Sequence, residues 1–423
     1  MIVIPPATPL VRTSVHLPAS KSISNRLLII RQLSGGTLAI RNLSDAGDTV
    51  LLKELLAMVN ASARCRTPQT IDCRDAGTVF RFLTALLAVT PGNWFLTGSG
   101  RMKQRPVGVL ADALMESGAD IRYTGEKEFP PLAIRGGAIK GGNSVSAPGD
   151  VSSQFISALM LIAPSLPGGL NIRITGRAVS APYIAMTAGI MQQCGADVTV
   201  ASDLVRVAGK PYTPPVDGLS VEADWSSAAF WYEVVALSDE TEVILPGLSF
   251  NSLQGDAIAA GIFEKLGVGT TETAEGILLK KYRIRSDESF IQDFTSCPDL
   301  AQAVAVTCAG LNIPARLTGL SGLRIKETDR LSALVSELTK TGYRVHAEKG
   351  SDLVIAGNQP VSGDDKIVIH TYNDHRMAMA FAPLAFKTGK IGIDNPAEVR
   401  KSYPGFWNDL KSAGFRFENF CWE

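Results

Sequence analysis

Six times along the chain an apolar, helix-like stretch stops at Gly, or once at Asn, and a short strand-like run follows. The stretches are "LLAMVNASARC", "LMESGADIRY", "MQQCGADVTV", "FEKLGVGTT", "LTKTGYRVHA" and "LKSAGFRFEN", with stops at Asn60, Gly118, Gly195, Gly267, Gly342 and Gly414. Gly just past a helix end takes the left-handed conformation that a Cβ penalises. The stops lie 58 to 77 residues apart, room for one small α/β unit each. The pattern predicts an α/β (α+β) protein of six repeated units. At 423 residues the chain exceeds what a single core usually fills, so two domains of three units each are expected.

The other ends of the helices carry a second pattern. Four begin with small polar residues before an apolar run: "SKSISNRLLII", "DAGTVFRFLTALLAV", "DVSSQFISALMLIA" and "ADWSSAAFWYEVVAL". Ser, Thr and Asp there are ordinary N-caps. Helix N-termini also present unpaired N–H groups and a positive dipole end, which attract anions. Two of the four starts have cations close by, Lys21 and Arg26 in the first, Arg74 and Arg81 in the second.

Global charge offers no anion attraction, because Lys plus Arg and Asp plus Glu both number 41. That balance disfavours nucleic acid and anionic membranes as partners, so anion binding must come from local clusters. The six cysteines (65, 73, 194, 297, 308 and 421) form no CxxC pair, which argues against a zinc site or a disulfide framework and for a reducing, cytoplasmic setting. "MIVIPPATPLVR" has no basic n-region and three prolines within nine residues, so no signal peptide is expected. Runs such as "FISALMLIAP" are about half the ~20 residues a membrane span needs.

Candidate cations sit in five short segments: "PASKSISNR", "SGRMKQRPVG", "RIKETDR", "TYNDHRMAMA" and "EVRKSYPGF". Charge leading into the apolar helix after His375 and Arg376 is costly unless something pairs with it. Three acids stand out. Asp299 opens "DLAQAVAVTCAG", Glu327 lies between Lys326 and Arg330, and Asp374 precedes His375, where it could orient the ring or cap the helix. A carboxylate among cations is held as an anion, available as a base or as an acceptor for a hydroxyl. No Walker-A sequence, strand-borne GxGxxG, HExxH or GxSxG occurs, so no cofactor is expected. Many cations, few acids and no cofactor suit chemistry on a small polyanion, with side chains supplying the electrostatics.

As an ordered set, these segments resemble the 5-enolpyruvylshikimate-3-phosphate (EPSP) synthase family. The stretches "LPASKSISNR", "DAGTVFRFLTALLA", "LTGSGRMKQRPVG", "VSSQFISALM", "SAPYIAMT", "EADWSSAAF", "PDLAQAVAV", "RIKETDRL", "TYNDHRMAMAF" and "KSYPGF" run in family order from about residue 17 to 404. The resemblance implies transfer of the enolpyruvyl group of phosphoenolpyruvate to the 5-hydroxyl of shikimate 3-phosphate. It implies an inside-out α/β barrel fold, the enolpyruvyl transferase fold, with two similar domains of three βαβαββ-type units closing on substrate in the cleft between them. Residues 1–20 plus 224–423 would form one domain and 21–223 the other. Shikimate 3-phosphate would be held by Lys21, Ser22, Arg26, Ser152, Ser153, Gln154, Ser180, Asp299 and Lys326. Phosphoenolpyruvate would be held by Lys21, Gly77, Arg101, Gln154, Arg330, Arg376 and Lys401. Asp299, Glu327 and Lys21 would move protons, with their individual assignment left open because close acids and bases titrate together. The family usually acts as a monomer, so a monomeric, isolated enzyme is expected.

Three positions depart from the family pattern. Asp75 stands where Asn is common, Phe82 where Pro is common, and Gly322 where an Asn usually contacts shikimate 3-phosphate. Asp75 adds negative charge near an anion site, and bulk at Phe82 could shift the helix start at Gly77, so weaker inhibition by glyphosate is expected. The UDP-N-acetylglucosamine enolpyruvyl transferase shares the fold, but its reactive-cysteine loop has no counterpart in "SGRMKQRP". A non-catalytic anion-binding pseudoenzyme is the alternative of a different class, opposed by intact Lys21, Asp299 and Glu327.

Overall fold

The computed structural model describes all residues except 7–11, 63–66, 138, 151, 177–178, 283–288, 358–366 and 419–423. Contacts divide the chain into two compact units, Met1–Pro18 with Glu222–Glu423, and Ala19–Val221.

One sheet plan repeats in both units. Gln69–Asp72 runs parallel to Gly92–Thr97, which pairs antiparallel with Leu132–Gly136, which pairs antiparallel with Asp120–Tyr123. The spatial order is therefore first, second, fourth, third, with a helix after each of the first two strands. The same βαβαββ plan recurs in the sheet from Ser144–Pro148 to Leu204–Val207. In the other unit it recurs from Phe290–Asp293 to Asp352–Ile355. A fourth copy joins Arg12–Ser14 in parallel to Glu242–Pro246, although more than two hundred residues separate them in sequence. In a fifth, Ile367–Ile369 lies parallel to Ile391–Ile393, Ile2–Ile4 takes the fourth position, and Glu418 bridges to Val3 in the place of the third. Among the described residues the sixth shows the parallel pair Ile40–Arg41 with Leu219–Ser220.

Helix composition decides position in each unit. Gly77–Val89, Trp225–Leu237 and Ala301–Gly310 are buried nearly all round, as helices apolar on every face must be. Arg330–Lys340 is amphipathic, burying Leu331, Leu334 and Leu338 at helical spacing and showing Ser and Lys to solvent. In the larger unit one continuous apolar core runs from Ile2 to Phe415.

Five of the six predicted stops are left-handed glycines: Gly118, Gly195, Gly267, Gly342 and Gly414, with φ between 80° and 94°. Four of them close the helix with a double backbone bond. At Gly118 its own N–H reaches the Met115 carbonyl, and the Ala119 N–H reaches Leu114, at 2.9 and 3.0 Å. Asn60 is different. The helix Gly47–Ser62 passes straight through it, and its amide exchanges hydrogen bonds with Gln32 at 2.6 and 3.1 Å. An Asn with a side-chain partner on a neighbouring helix has no need to end its own.

Cys73, Cys194, Cys297 and Cys308 are buried free thiols, while Cys65 and Cys421 lie outside the described residues. Among the described residues no helix is long and apolar enough to cross a membrane.

Candidate active site

In the Ala19–Val221 unit most candidate residues lie at the N-terminal ends of four helices that pack together, Lys21–Leu33, Gly77–Val89, Ser153–Ile162 and Ala181–Gln193, while Arg101 lies in a loop. Side chains cap only one of these starts, where Ser152 accepts from the Gln154 N–H at 3.3 Å. Ser20 and Ala76 offer no side-chain cap, so the N–H groups behind them stay available to an anion. Ser180 offers none either, but Pro182 has no N–H and the Tyr183 N–H donates to the Ser180 carbonyl at 3.0 Å. Two of these open starts carry the nearby cations noted in the sequence. The Gln154 side chain donates to Thr78 Oγ1 at 3.0 Å and ties two of the starts together. Lys21 Nζ pairs with Asp48 at 3.1 Å, on the first turn of Gly47–Ser62.

Arg26 sits where the four helices meet. Its Nε donates to Thr187 Oγ1 at 2.7 Å, Nη1 to the Ser22 carbonyl at 2.9 Å and Nη2 to Ser157 Oγ at 3.2 Å. The guanidinium lies 5.4 Å from the centre of the Phe82 ring. Arg26 is 2% exposed, and among the described residues no carboxylate reaches it. Burial pulls its pKa down to about 10, with Tyr183 acting in the opposite direction. A desolvated cation without a counter-ion is an anion site held ready.

With Phe82 in place, the helix starts at Gly77. The ring is 1% exposed, one turn inside the helix, beneath Arg26. Asp75 accepts a hydrogen bond from the Ser99 hydroxyl, and the same Ser99 oxygen accepts from the Met102 N–H at 3.2 Å. Asp75 thus organises the loop that carries Arg101, whose Nη1 approaches Gln104 Oε1 at 3.4 Å. The Arg105 guanidinium lies against Gly77, where a Cβ would come within 2.6 Å of it.

The other unit holds a different kind of cluster, with cations and carboxylates fully engaged. Arg330, 2% exposed, donates to Asp374 at 2.6 Å, to Glu327 at 2.9 Å and to Asp299 at 3.1 Å. Arg376 reaches the other Asp299 oxygen at 3.1 Å and the Asp299 carbonyl at 2.9 Å, and Lys326 stands 3.6 Å from the carboxylate. Burial alone would raise the Asp299 pKa. Arg376, Lys326 and Arg330 override it and, against Glu327, hold the carboxyl well below the usual range. For Arg330, burial works against the charge, but Asp374, Glu327 and Asp299 raise its pKa. Lys401 Nζ donates to the Asn373 carbonyl at 2.8 Å and pairs with Glu398 at 2.9 Å.

Asp299 lies in the turn Pro298–Leu300, and no side chain caps that turn or the helix that follows. Asp374 does cap its helix, accepting from the Arg376 N–H at 2.9 Å while it holds Arg330, and His375 Nδ1 stands 3.7 Å away. Gly322 sits in the turn Ser321–Ile325, and a Cβ there would meet open space. Sequence reasoning missed Asp48, which reads as a plain first-turn acid, and Asp256, a 3%-exposed acid bonded to the Ser226 hydroxyl. Burial, then Asp299, raises the Asp256 pKa to about 6. Among the described residues no group of His, Cys, Asp and Glu is arranged to hold a metal.

The sequence profile of the EPSP synthase (3-phosphoshikimate 1-carboxyvinyltransferase) family matches residues 7–410. The chain belongs to the EPSP synthase family. A 3-phosphoshikimate 1-carboxyvinyltransferase of Bacteroides fragilis (strain YCH46) is 46% identical over 96% of both chains. One from Vibrio atlanticus is 35% identical over 94% of this chain and 96% of its own. Among solved structures, the EPSP synthase of Acinetobacter baumannii superposes with a TM-score of 0.72 at 22% identity, over 99% of each chain. The enolpyruvyl transferase NikO of Streptomyces tendae gives 0.71 at 15% identity, over 99% of this chain and 98% of its own. At such identities the superpositions establish the shared fold.

Proposed function

We propose that this chain transfers the enolpyruvyl group of phosphoenolpyruvate to the 5-hydroxyl of shikimate 3-phosphate, releasing phosphate, with the residues in the following roles. The observation that carries the assignment is Arg26, a buried cation with no anionic partner among the described residues, beside helix starts left open for anions. Lys21, Ser22, Arg26, Ser152, Ser153, Gln154 and Ser180 hold shikimate 3-phosphate, assisted by Lys326 and Asp299. Arg330, Arg376, Lys401, Arg101, Gln154, Lys21 and the Gly77 helix start hold phosphoenolpyruvate.

The chemistry follows from the charges. Glu327 or Lys21 delivers a proton to the methylene carbon of phosphoenolpyruvate, and the neighbouring carbon becomes cation-like. The 5-hydroxyl oxygen bonds to that carbon while its proton passes to Asp299. The tetrahedral adduct then returns a methyl proton to that same group, Glu327 or Lys21, and the C–H electron pair becomes the new C=C bond. The C–O bond to phosphate breaks, and phosphate leaves with the electron pair. Without substrate, Asp299 is ionised but a weak base, because three cations share it. A substrate carboxylate on Arg330 and Arg376 would take part of that charge and make Asp299 more basic when the hydroxyl arrives. Holding two mutually repelling anions together is the larger part of the task, and fixed cations supply it.

We also propose domain limits near Lys21 and near Glu222 to Asp224, and action as a cytoplasmic monomer. Phosphate release from purified protein tests the reaction. Release that needs both substrates and collapses in Asp299→Ala supports the reading. Tight shikimate 3-phosphate binding without release would favour a non-catalytic binding protein instead.

A further inference from the structure

The segment between the strand Ile367–Ile369 and the helix His375–Phe381 turns on two consecutive residues with left-handed backbone, Tyr372 at φ 53° and Asn373 at φ 56°. The turn closes with the Asp374 N–H on the Thr371 carbonyl at 2.8 Å. Asn tolerates such a conformation, but a bulky aromatic there is an outlier and persists only where its surroundings over-determine it. Burial is not what holds Tyr372, which remains 38% exposed. Its hydroxyl donates to Glu337 Oε1 at 2.6 Å, and Glu337 is fully buried. The other Glu337 oxygen accepts from the His370 N–H at 3.1 Å and from Lys340 at 2.6 Å. Thr371 is pinned separately, its N–H and hydroxyl both on Asp394 at 2.9 Å.

What this turn delivers is at the candidate site. Its Asn373 carbonyl receives Lys401 Nζ, and the next residue, Asp374, receives Arg330 Nε at 2.6 Å. We propose that Tyr372 is a positioning residue: its hydroxyl, anchored on the buried Glu337 carboxylate, holds the left-handed turn that sets Lys401 and Arg330 for phosphoenolpyruvate. The inference rests on the reading that these two cations hold that substrate.

Two substitutions separate the anchor from the turn. Tyr372→Phe keeps the ring and removes the hydroxyl. Tyr372→Gly removes both, yet Gly adopts positive φ freely and needs no anchor. The expected result is a KM for phosphoenolpyruvate raised about tenfold in Tyr372→Phe, as loss of a hydrogen bond to a charged group implies. The KM for shikimate 3-phosphate should stay within about twofold, and Tyr372→Gly should stay close to wild type for both substrates. Amide exchange at Asp374 and Arg376, measured without substrate, should be about tenfold faster in Tyr372→Phe. Unchanged exchange overturns the anchor. Faster exchange with an unchanged KM overturns the positioning role, and a glycine variant as poor as the phenylalanine variant overturns action through the turn. If Lys401→Ala left the KM for phosphoenolpyruvate unchanged, the assignment of Lys401 would fail instead, while amide exchange would still decide the anchor.

Discussion

Arg26 and Arg330 are both buried arginines, and the same substitution should have different consequences for stability in them. For Arg26 the drop from the usual 12.5 to about 10 corresponds to about 3 kcal/mol against the charged form. Because the folded pKa of a base is lowered, that penalty is present at neutral pH and disappears only as the pH rises past about 10. Arg26→Met removes the penalty and forfeits three hydrogen bonds, each worth about 1 kcal/mol net, so the two roughly cancel. Neither hydroxyl is orphaned, because Thr187 still donates to the Tyr183 carbonyl and still meets Ser157 at 2.9 Å. Arg330→Met instead leaves Asp374 buried with its cation gone, beside Glu327 and Asp299, which costs about 3–5 kcal/mol. Thermal unfolding without ligand should therefore find Arg26→Met near wild type, and Arg330→Met lower by about 10 °C. Calorimetric titration with shikimate 3-phosphate should show Arg26→Met weakened about 100-fold or more. An Arg26→Met protein that unfolds as early as Arg330→Met yet still binds shikimate 3-phosphate would refute the reasoning and make Arg26 a structural strut.

Other outcomes follow from the same geometry. Phe82→Leu removes the ring beneath Arg26 and should weaken shikimate 3-phosphate about fivefold by titration, with kcat retained. Asp256 has a folded pKa of about 6 against the usual 3.8, so its contribution to stability is full below pH 4 and lost as the pH rises through 6. Asp256→Asn should therefore stabilise the protein above pH 6 by up to about 3 kcal/mol and not below pH 4, as read from unfolding midpoints across that range. Gly322→Asn projects into open space, and a new hydrogen bond to shikimate 3-phosphate should tighten binding about fivefold; unchanged affinity would remove Gly322 from the site. Asp75→Asn should lower the glyphosate concentration needed for half inhibition, and equal potency would show that the carboxylate on Ser99 does not reach the anion site.

What the sequence determined by itself was local. A glycine after a helix works through its own φ, so five of six helix ends were legible, and Asn60 misled because its amide partner lies on another helix. The residue types of the candidate site could be picked out too, since Lys21, Arg26, Asp299, Lys326, Glu327, Arg330 and Arg376 stand in motifs whose order marks the family. Tertiary structure alone decided which charges are paired. Arg26 meets Ser157 and Thr187 from residues 131 and 161 positions away, and Arg330 meets Asp374 from 44. Electrostatic environment depends on which groups are close in space once water is removed. Sequence distance carries no trace of that. So two arginines that read alike in the sequence become, in the fold, one cation awaiting an anion and one already surrounded by carboxylates.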